Sequence, residues 1–594
     1  MLRNRLRALS GVLLASAAMS IFASPPPEDL SARRKALSDL LAEHWEYTLS
    51  KSPEFASILG DKRWNDKLSD VSEREILADQ AKDRAWLSRL EAIDTTGFPE
   101  QESLTKTFLV RGIRESIANE RFRSWEMPVS QMSGIHLNAP QLVPLLSFKT
   151  VKDYDDYVAR LKQLPTQFDD VTARMRKGMA DGLMQPRFLL EKVATQSEGI
   201  AGKKPEETPF ARPLASMPKE FPEAEQARLR EAVTSAIRDS VLPAYVRFAR
   251  FVKEEYAPKG RLEPGMWSLP DGNARYAAQV KRLTTTDKTP EEIHQIGLQQ
   301  VADLERQMMV IARKQGFSDL KSFNASIEKN PKLHYQSREQ ILELYRKYIA
   351  GMKPKLPELF GRLPKADVEV DAVESFREKE ASGAQYNQGA KDGSRPGRVM
   401  VNTSEPEKRQ FISTESTAYH EGVPGHHLQI SIAQELDELP PIRQQTNYGA
   451  YVEGWALYSE RLGKEVGFYQ DPYSDYGRLQ DEMLRAIRLV VDTGFHAKKW
   501  TRDQVVQFFH DHSATAEVEV QSETDRYIAW PGQALGYKMG QLKILELRER
   551  AKKALGSRFD VREFHDQILG AGALPLDVLE QRIDGWIAAK KKTG

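Results

Sequence analysis

The chain has 594 residues, of which 40% are hydrophobic and 29% are charged, a composition typical of a globular protein. Its formal net charge is +1, so composition gives no general electrostatic reason to expect binding to nucleic acid or to an anionic membrane. The absence of cysteine excludes disulfides, thiolate catalysis, lipid attachment at cysteine and cysteine-bound zinc.

The first 24 residues have the pattern of a secretory signal peptide. Three arginines within the first seven residues precede a short apolar run over 8–22. Cleavage is predicted near Ala23 or Ser24, just before three prolines. An uncleaved anchor is the alternative, although the run is shorter than the roughly 20 residues needed to span a bilayer. No later segment is long and apolar enough to cross one, so we expect a secreted chain, most simply periplasmic, with no stable membrane span.

The N-terminal half is predicted to be a succession of helices. Apolar residues recur at helical spacing in several segments, while strand-like alternation is scarce. These segments are 37–45, 77–90, 104–122, 151–180 and 223–256. A stretch rich in proline, lysine and glutamate over 203–222 is predicted to be an exposed loop. The Pro- and Gly-containing segment 264–272 interrupts the pattern, so we predict an N-terminal helical subdomain over 25–265 and a second subdomain over 266–594.

The second subdomain is predicted to begin with a long helix. Thr289 and Pro290, followed by two glutamates, form a typical helix start, and the helical pattern continues to Gln315. Residues 320–363 are again predicted to be helical.

Two short segments, 367–374 and 398–403, are the best strand candidates. A strand edge can hold an extended peptide through main-chain hydrogen bonds, and the second segment stands shortly before the histidine motif described next. An ordinary short strand is the alternative. Asn402 in this segment is a candidate for supporting a ligand or contacting a substrate.

The segment 417–429 concentrates the chemistry of the chain. It holds His420, Glu421, His426 and His427, three of the eleven histidines with a carboxylate directly after the first. Zinc hydrolases commonly use H-E-x-x-H, in which two imidazoles one helical turn apart bind the metal and the glutamate accepts a proton from the attacking water. Here Pro424 occupies the position four residues after His420, and it cannot bind a metal.

A straight helix would place His426 and His427 roughly 9–10 Å along the axis from His420, whereas two ligands of one zinc ion lie within about 4 Å of each other. The helix must therefore bulge, and Pro424 and Gly425 are the residues that allow it. We predict His420 and His426 as zinc ligands, with His427 as an alternate ligand or a residue supporting a ligand.

The string H-E-G-V-P-G-H-H-L-Q resembles the signature of a bacterial family catalogued as domain of unknown function 885. That family resembles the helical zinc metallopeptidases of the thimet oligopeptidase type, whose H-E-x-G-H matches if Gly422-Val423-Pro424 is an enlarged middle. The resemblance implies a mainly α, zincin-like fold, with two helical halves flanking a deep cleft and a small β-sheet next to the zinc-binding helix. The departure from the usual spacing leaves the second ligand open between His426 and His427.

A third protein ligand is expected from a later helix, as in zincins that use a glutamate. Glu453 lies 27 residues after His426, and Val452-Glu453 resembles the Val-Glu that supplies this ligand in thimet-type enzymes. Glu460 lies seven residues further on the same predicted face and could hold a ligating histidine. The alternative is that both are solvated acids. Glu421 points about 100° away from its neighbour on a helix, so its predicted role is general base rather than ligand.

Two residues are candidates to stabilise the oxyanion of a tetrahedral intermediate. Tyr537 has a Gly-x-x-x-Gly-Tyr frame that resembles the glycine-flanked tyrosine segment of thimet-type peptidases, and His496 is the other candidate. Each has a structural alternative, as a core tyrosine or a buried histidine. Arg526 could clamp a substrate carboxylate, or form an ion pair with Glu523.

Together these features predict a secreted zinc metallopeptidase that hydrolyses peptide bonds of oligopeptides, with Zn²⁺ as cofactor, a peptide as partner and no nucleic acid. One alternative is a non-catalytic peptide-binding or scaffold protein with a degenerate zinc site. Another is a zinc amidohydrolase acting on amides outside peptides. The oligomeric state is not readable from the sequence.

Overall fold

The computed structural model describes residues 29–373, 378, 382–389, 395–444 and 447–592, so the predicted signal peptide lies outside the described residues. Helices dominate the described part of the chain. In the N-terminal half they are α1 Leu30–Lys51, α2 Pro53–Ile58, α3 Glu73–Glu91, α4 Glu100–Asn119, α5 Ile135–Leu142, α6 Val151–Ala180, α7 Arg187–Ala201, α8 Glu223–Ala236 and α9 Leu242–Arg250.

The remaining helices of the described part of the chain belong to its second half. They are α10 Gly272–Thr284, α11 Pro290–Lys314, α12 Leu320–Glu328, α13 Arg338–Met352, α14 Leu356–Leu359, α15 Thr414–Glu421, α16 His426–Gln434, α17 Pro441–Gln444, α18 Gly449–Glu465, α19 Pro472–Ala497, α20 Arg502–His512, α21 Glu517–Ala529, α22 Leu535–Leu555, α23 Val561–Leu569 and α24 Leu576–Lys592. Within the described ranges, none of these helices combines the length and apolarity that a membrane crossing requires.

The start of α11 follows the predicted capping chemistry. The Thr289 hydroxyl accepts a hydrogen bond from the Glu292 N–H at 3.2 Å, and the Glu292 carboxylate accepts one from the Thr289 N–H at 2.8 Å. Pro290 occupies the first helical position, where no backbone donor is needed. The predicted helix is confirmed, and it ends at Lys314, one residue before the predicted end.

The stretch 203–222 is more ordered than predicted. It contains a 3₁₀ helix over Pro209–Ser216 in which Phe210 and Leu214 are buried. Two tyrosines of α6 explain this burial, because Tyr157 donates a hydrogen bond to the Phe210 carbonyl at 2.8 Å, as Tyr154 does to the Pro213 carbonyl at 3.0 Å. The expectation of an exposed loop was wrong here, because it weighed composition and not these long-range donors.

A three-stranded sheet lies beside the histidine motif, built from β1 Val368–Ala372, β2 Ala384–Asn387 and β3 Gly397–Val401. The strand order is β1–β3–β2, with β1 parallel and β2 antiparallel to β3. Both predicted strands are present, and β2 was not predicted. Because β3 is central, both of its edges are occupied and it cannot take a substrate strand as the sequence suggested.

Helix α18 is fixed to α22 by a close backbone contact. A Cβ on Gly540 would overlap the carbonyl oxygen of Ala450, and a Cβ on Gly454 would overlap the backbone of Gly540. Only glycine allows this approach, which brings the two helices closer than ordinary side chains permit. The contact positions α18, whose residues Glu453 and Glu460 are considered below.

We expect Gly540→Ala to destabilise the protein by about 1–3 kcal/mol, because the added methyl group must push the two helices apart. The measurement is the free energy of unfolding in denaturant. The matched control is Gly585→Ala in α24, where a Cβ meets nothing within 4 Å; helix propensity predicts a gain of up to about 1 kcal/mol there. Equal stability of Gly540→Ala and wild type would contradict the close crossing.

Candidate metal centre

The histidine motif is interrupted rather than bulged. Helix α15 ends at Glu421 and a new helix, α16, begins at His426. The Gly425 N–H donates a hydrogen bond to the Tyr419 carbonyl at 2.9 Å, which folds the connecting residues back on α15. A Cβ on Gly425 would overlap the carbonyl oxygen of His420, so this turn requires glycine. As predicted, the helix is distorted at Pro424 and Gly425. The distortion is a complete break between two helices and not a bulge within one.

The turn is also held from the opposite side by α18. The indole N–H of Trp455 donates to the Pro424 carbonyl at 2.9 Å, and both groups are buried. This hydrogen bond satisfies a carbonyl that the interrupted helix leaves without a partner. It also fixes α18, two residues from Glu453, against the turn that separates the two histidines.

Three side chains converge across this turn. Nε2 of His420 lies 3.6 Å from Oε2 of Glu453, and Nε2 of His426 lies 3.5 Å from the same oxygen. The two imidazole rings are nearly perpendicular, at 88°, with centroids 4.8 Å apart. Ligand atoms around a tetrahedral zinc ion, at bond lengths of about 2.0–2.2 Å, stand about 3.3–3.6 Å apart. The residues therefore fit a zinc ion, and 25% of the Glu453 side chain remains exposed on the open side.

Glu421 also approaches the histidines. One carboxylate oxygen of Glu421 and one ring nitrogen each of His420 and His426 lie within 4.8 Å of one another. This grouping alone would allow Glu421 as a ligand. Glu453 is the better third ligand, because a single oxygen of it stands at zinc-ligand spacing from both Nε2 atoms. Glu421 then lies beside the site without completing it.

His420 is oriented by a second carboxylate. Its Nδ1–H donates to Oε1 of Glu460 at 2.7 Å, and the Glu460 side chain is almost fully buried. A carboxylate behind a histidine fixes the ring tautomer and leaves Nε2 free for a metal. Within the described part of the chain, Nδ1 of His426 is buried with no hydrogen-bond partner, so His426 lacks the same support.

The electrostatics of the site favour a cation. Burial disfavours the charged forms, but the histidines hold the pKa of Glu453 well below its usual range. For His420, burial lowers the pKa, yet the Glu453 carboxylate 3.6 Å away and the hydrogen-bonded Glu460 carboxylate outweigh it and raise the pKa to about 10. Three carboxylates around two imidazoles thus carry a negative charge that a proton or a divalent ion can offset.

His427 faces away from the ligands and towards the sheet. Its Nε2–H donates to the Ala366 carbonyl at 3.1 Å, and its Nδ1 accepts from the Tyr386 hydroxyl at 3.0 Å. Burial lowers the pKa of His427 to about 4. Both ring nitrogens form hydrogen bonds, so His427 connects α16 to the sheet region. The alternative that His427 is a metal ligand was wrong, because neither nitrogen is available to a metal.

Tyr537 lies in the first turn of α22, one residue after Gly536, which packs against Ala450 of α18. The Arg488 guanidinium sits over its ring, 4.7 Å from the centroid. Tyr537 is partly exposed, and its hydroxyl makes no hydrogen bond to another described residue. Tyr537 therefore lies close to α18, the helix that carries Glu453, and among the described residues its hydroxyl has no hydrogen-bond acceptor.

His496 has a structural role instead of the catalytic one predicted. It is fully buried, its Nε2–H donates to the Tyr527 carbonyl at 3.0 Å, and its Nδ1 accepts from the Met266 N–H at 3.1 Å. Burial lowers the pKa of His496 to about 3. No ring nitrogen remains to stabilise an oxyanion, so the buried-histidine alternative holds.

Arg526 and Asn402 are also engaged locally. Arg526 pairs with Glu523 at 3.0 Å and donates to Gln533 at 2.8 Å, which is the ion-pair alternative. Asn402 follows β3 and accepts hydrogen bonds from the N–H and hydroxyl of Ser404, while its amide donates to the Glu378 carbonyl. Asn402 shapes the turn after the strand, and Arg526 belongs to an ion pair within α21.

Asp481 in α19 is a neighbour of the site that the sequence analysis missed. The Ser416 hydroxyl, one turn before His420 on α15, donates to its carboxylate. Burial raises the pKa of Asp481 to about 6, and the charge of Glu460 adds to this while Arg485 opposes it. Asp481 stands between Gln480 and Glu482, so no local pattern marks it as buried, and its partner is 65 residues away in sequence.

Fold and site together define a mainly helical protein with a candidate metal centre made of two imidazoles and one shared carboxylate. A family model described as "Bacterial protein of unknown function (DUF885)" matches residues 53–583. Because this match spans most of the sequence, the chain belongs to the DUF885 family. No protein of curated function matches the chain significantly.

Two solved structures are similar over almost their whole length. A protein from Colwellia psychrerythraea, described as a "putative lipoprotein", is 29% identical with a TM-score of 0.88, covering 94% of this chain and 100% of that chain. A "putative lipoprotein of unknown function" from Shewanella oneidensis is 18% identical with a TM-score of 0.72, covering 93% and 99% respectively. At that identity, the second likeness shows a shared fold alone.

We expect Glu460→Gln to weaken zinc binding by about 10–100-fold, because a neutral amide no longer orients His420 or raises the basicity of its ring. The measurement is competition with a metal chelator of known affinity. The matched control is Glu465→Gln on the same helix, whose partner is Arg548. Zinc affinity within twofold of wild type for Glu460→Gln would contradict this role.

Zinc binding near pH 7 is expected to release about one proton, because His420, with its pKa raised to about 10, is protonated there and must become neutral to bind. The apparent affinity should then fall about tenfold for each pH unit on acidification. Titration calorimetry in buffers of different ionisation enthalpy measures the released proton. His510→Gln, at a surface pair with Glu517, is the control. Zinc uptake without proton release would show that His420 starts neutral.

Proposed function

We propose that this chain is a zinc-dependent metallopeptidase. The observation that supports it best is the spacing of the Nε2 atoms of His420 and His426, at 3.6 and 3.5 Å from one oxygen of Glu453. Two imidazoles and one carboxylate, with an open side, are the donor set of catalytic rather than structural zinc sites. Zinc in such a site supplies Lewis-acid chemistry that activates water and polarises a carbonyl group.

Glu421 is the proposed general base. It follows a ligand directly, and its carboxylate lies within 4.8 Å of both histidines without being needed as the third ligand. It would accept the proton of the water that attacks the scissile carbonyl carbon, and then deliver that proton to the leaving amine nitrogen. Both transfers need only one carboxylate that faces the reacting atoms.

Tyr537 is the proposed donor to the oxyanion. Its free hydroxyl and its place on α22, against the ligand helix α18, support this role. The Arg488 cation over the ring holds the Tyr537 side chain in place. With His496 removed from consideration, Tyr537 is the remaining candidate of the two.

The proposed substrate is an oligopeptide. Since β3 is central, β1 and β2 are the outer strands, and within the described residues each has one side that pairs with no other strand. Of the two, β2 is the proposed partner of an extended peptide. Strand β2 also packs near α15, the helix that carries His420 and Glu421. A cleft between two helical halves, as the thimet-type resemblance implies, would admit short peptides in preference to folded proteins.

The proposed location is the periplasm. A predicted signal peptide and the description of two structural relatives as "putative lipoprotein" support an envelope protein. The chain contains no cysteine, so a lipid anchor of the kind attached to cysteine has no attachment point in this sequence.

The test compares wild type and Glu421→Gln for zinc content and for hydrolysis of a mixed peptide library. We expect stoichiometric zinc in both and a loss of about 10²–10⁴-fold in hydrolysis for the variant, because only the base is removed. Glu465→Gln on α18 should retain full activity. Stoichiometric zinc without cleavage of any peptide by wild type would remove the peptidase proposal and favour a peptide-binding protein.

A further inference from the structure

A cavity lies in the N-terminal half of the chain, and none of its lining residues belongs to α15, α16 or α18. Its volume is about 530 Å³. One wall is a stripe of α6 that runs from Tyr157 to Arg174, a length of about 25 Å. The other walls come from α2, the segment 68–71 and α5. The cavity is therefore long and narrow.

The lining is mostly apolar, and two of its large side chains are exposed at the opening. Ile58 is 46% exposed and Leu145 is 56% exposed, although both are aliphatic. Inside, Leu161, Leu164 and Val171 follow one another along α6 and are buried. Apolar surface left in contact with water in and around a formed pocket is typical of a site for an apolar ligand.

The charges in the lining do not balance. Arg160 and Arg174 line the cavity, and Glu54 is the one acid that does so. Arg160 donates to the carbonyls of Lys67 and Pro53, and Arg174 to those of Trp125 and Val71. Neither guanidinium forms an ion pair with a carboxylate of any described residue. Glu54 instead accepts hydrogen bonds from Ser69 and Gln167, so the lining keeps one surplus positive charge.

A hydrocarbon chain suits this cavity better than a peptide does. An extended peptide carries a donor and an acceptor at every residue, and these need partners when buried. Here the lining is largely aliphatic, and most polar groups in it already bond to one another or to the backbone. A linear acyl chain needs no such partners, and each methylene it buries is worth about 0.8 kcal/mol, or about fourfold in affinity.

We propose that this cavity binds a linear acyl chain with an anionic head group, the chain lying along α6 and the head group at Arg174. Arg174 is the lining cation at the end of the stripe, and its Nη2 atom is not used in the hydrogen bonds to Trp125 and Val71. This site is independent of the metal centre and of the proposed peptidase activity.

The experiment measures displacement of a fluorescent acyl carboxylate from the whole folded chain by hexadecanoate, kept below its micelle concentration, and separately by hexadecan-1-ol, kept below its solubility limit. Wild type should bind one equivalent of hexadecanoate, and more tightly than the alcohol. Ala139→Phe, which fills the cavity from α5, should weaken hexadecanoate by at least about tenfold. Its matched control, Ala173→Phe, places the same ring on the exposed side of α6 and should bind within twofold of wild type.

A second pair of variants tests the head group. Arg174→Gln should weaken hexadecanoate about tenfold while leaving the alcohol within twofold, because only the carboxylate has a charge for the guanidinium to bind. The hydrogen bonds of Arg174 to the Trp125 and Val71 carbonyls are lost for both ligands alike, so comparing acid with alcohol isolates the head-group contact. The control is Arg176→Gln, an exposed residue of the same helix that pairs with Glu255. Circular dichroism establishes that each variant is folded. No saturable binding by wild type, unchanged binding by folded Ala139→Phe, or equal affinity for acid and alcohol would each overturn the proposal.

Discussion

The candidate centre depends on one steric constraint, the packing of Gly425 against the carbonyl oxygen of His420. His426 lies six positions after His420, a spacing at which no continuous helix can bring two side chains to one point. Ending α15 at Glu421 and starting α16 at His426 removes the problem, because each imidazole then belongs to its own helix. The motif is thus a pair of helix ends that meet, and its geometry comes from the turn between them.

Helix α18 provides the remaining groups of the candidate metal centre. It supplies Glu453 to both imidazoles, Glu460 to the back of His420, and Trp455 to the carbonyl of Pro424. Its own position is set by the glycine contact with α22. Ligand, supporting carboxylate and turn therefore share a single rigid element, which is the arrangement expected to hold ligand atoms within a few tenths of an ångström.

Features of the fold and site that depend on neighbouring residues could be predicted from the sequence. Features that depend on contacts between distant residues could not. The Thr289 cap and the break at Pro424-Gly425 depend on residues that are neighbours in sequence. The start of α11 and a distortion of the helix between His420 and His426 could therefore be predicted from the sequence. His496 was misassigned because its partners, Met266 and Tyr527, are backbone groups that no motif encodes. Strand β2 was not predicted, because four residues are too few for an alternating hydrophobic pattern that would distinguish a strand from a loop.

The division of the motif between α15 and α16 has a consequence for when the chain can acquire a metal. In an H-E-x-x-H helix the two imidazoles are aligned as soon as one turn forms. Here they meet only when the turn between α15 and α16 has formed, and Glu453 joins them only when α18 has docked on that turn. An unfolded or partly folded chain therefore offers no preformed chelate, and an ion bound here would favour the native state alone. If the chain is exported unfolded, as the predicted signal peptide implies, it would bind its metal ion only after it has crossed the membrane and folded.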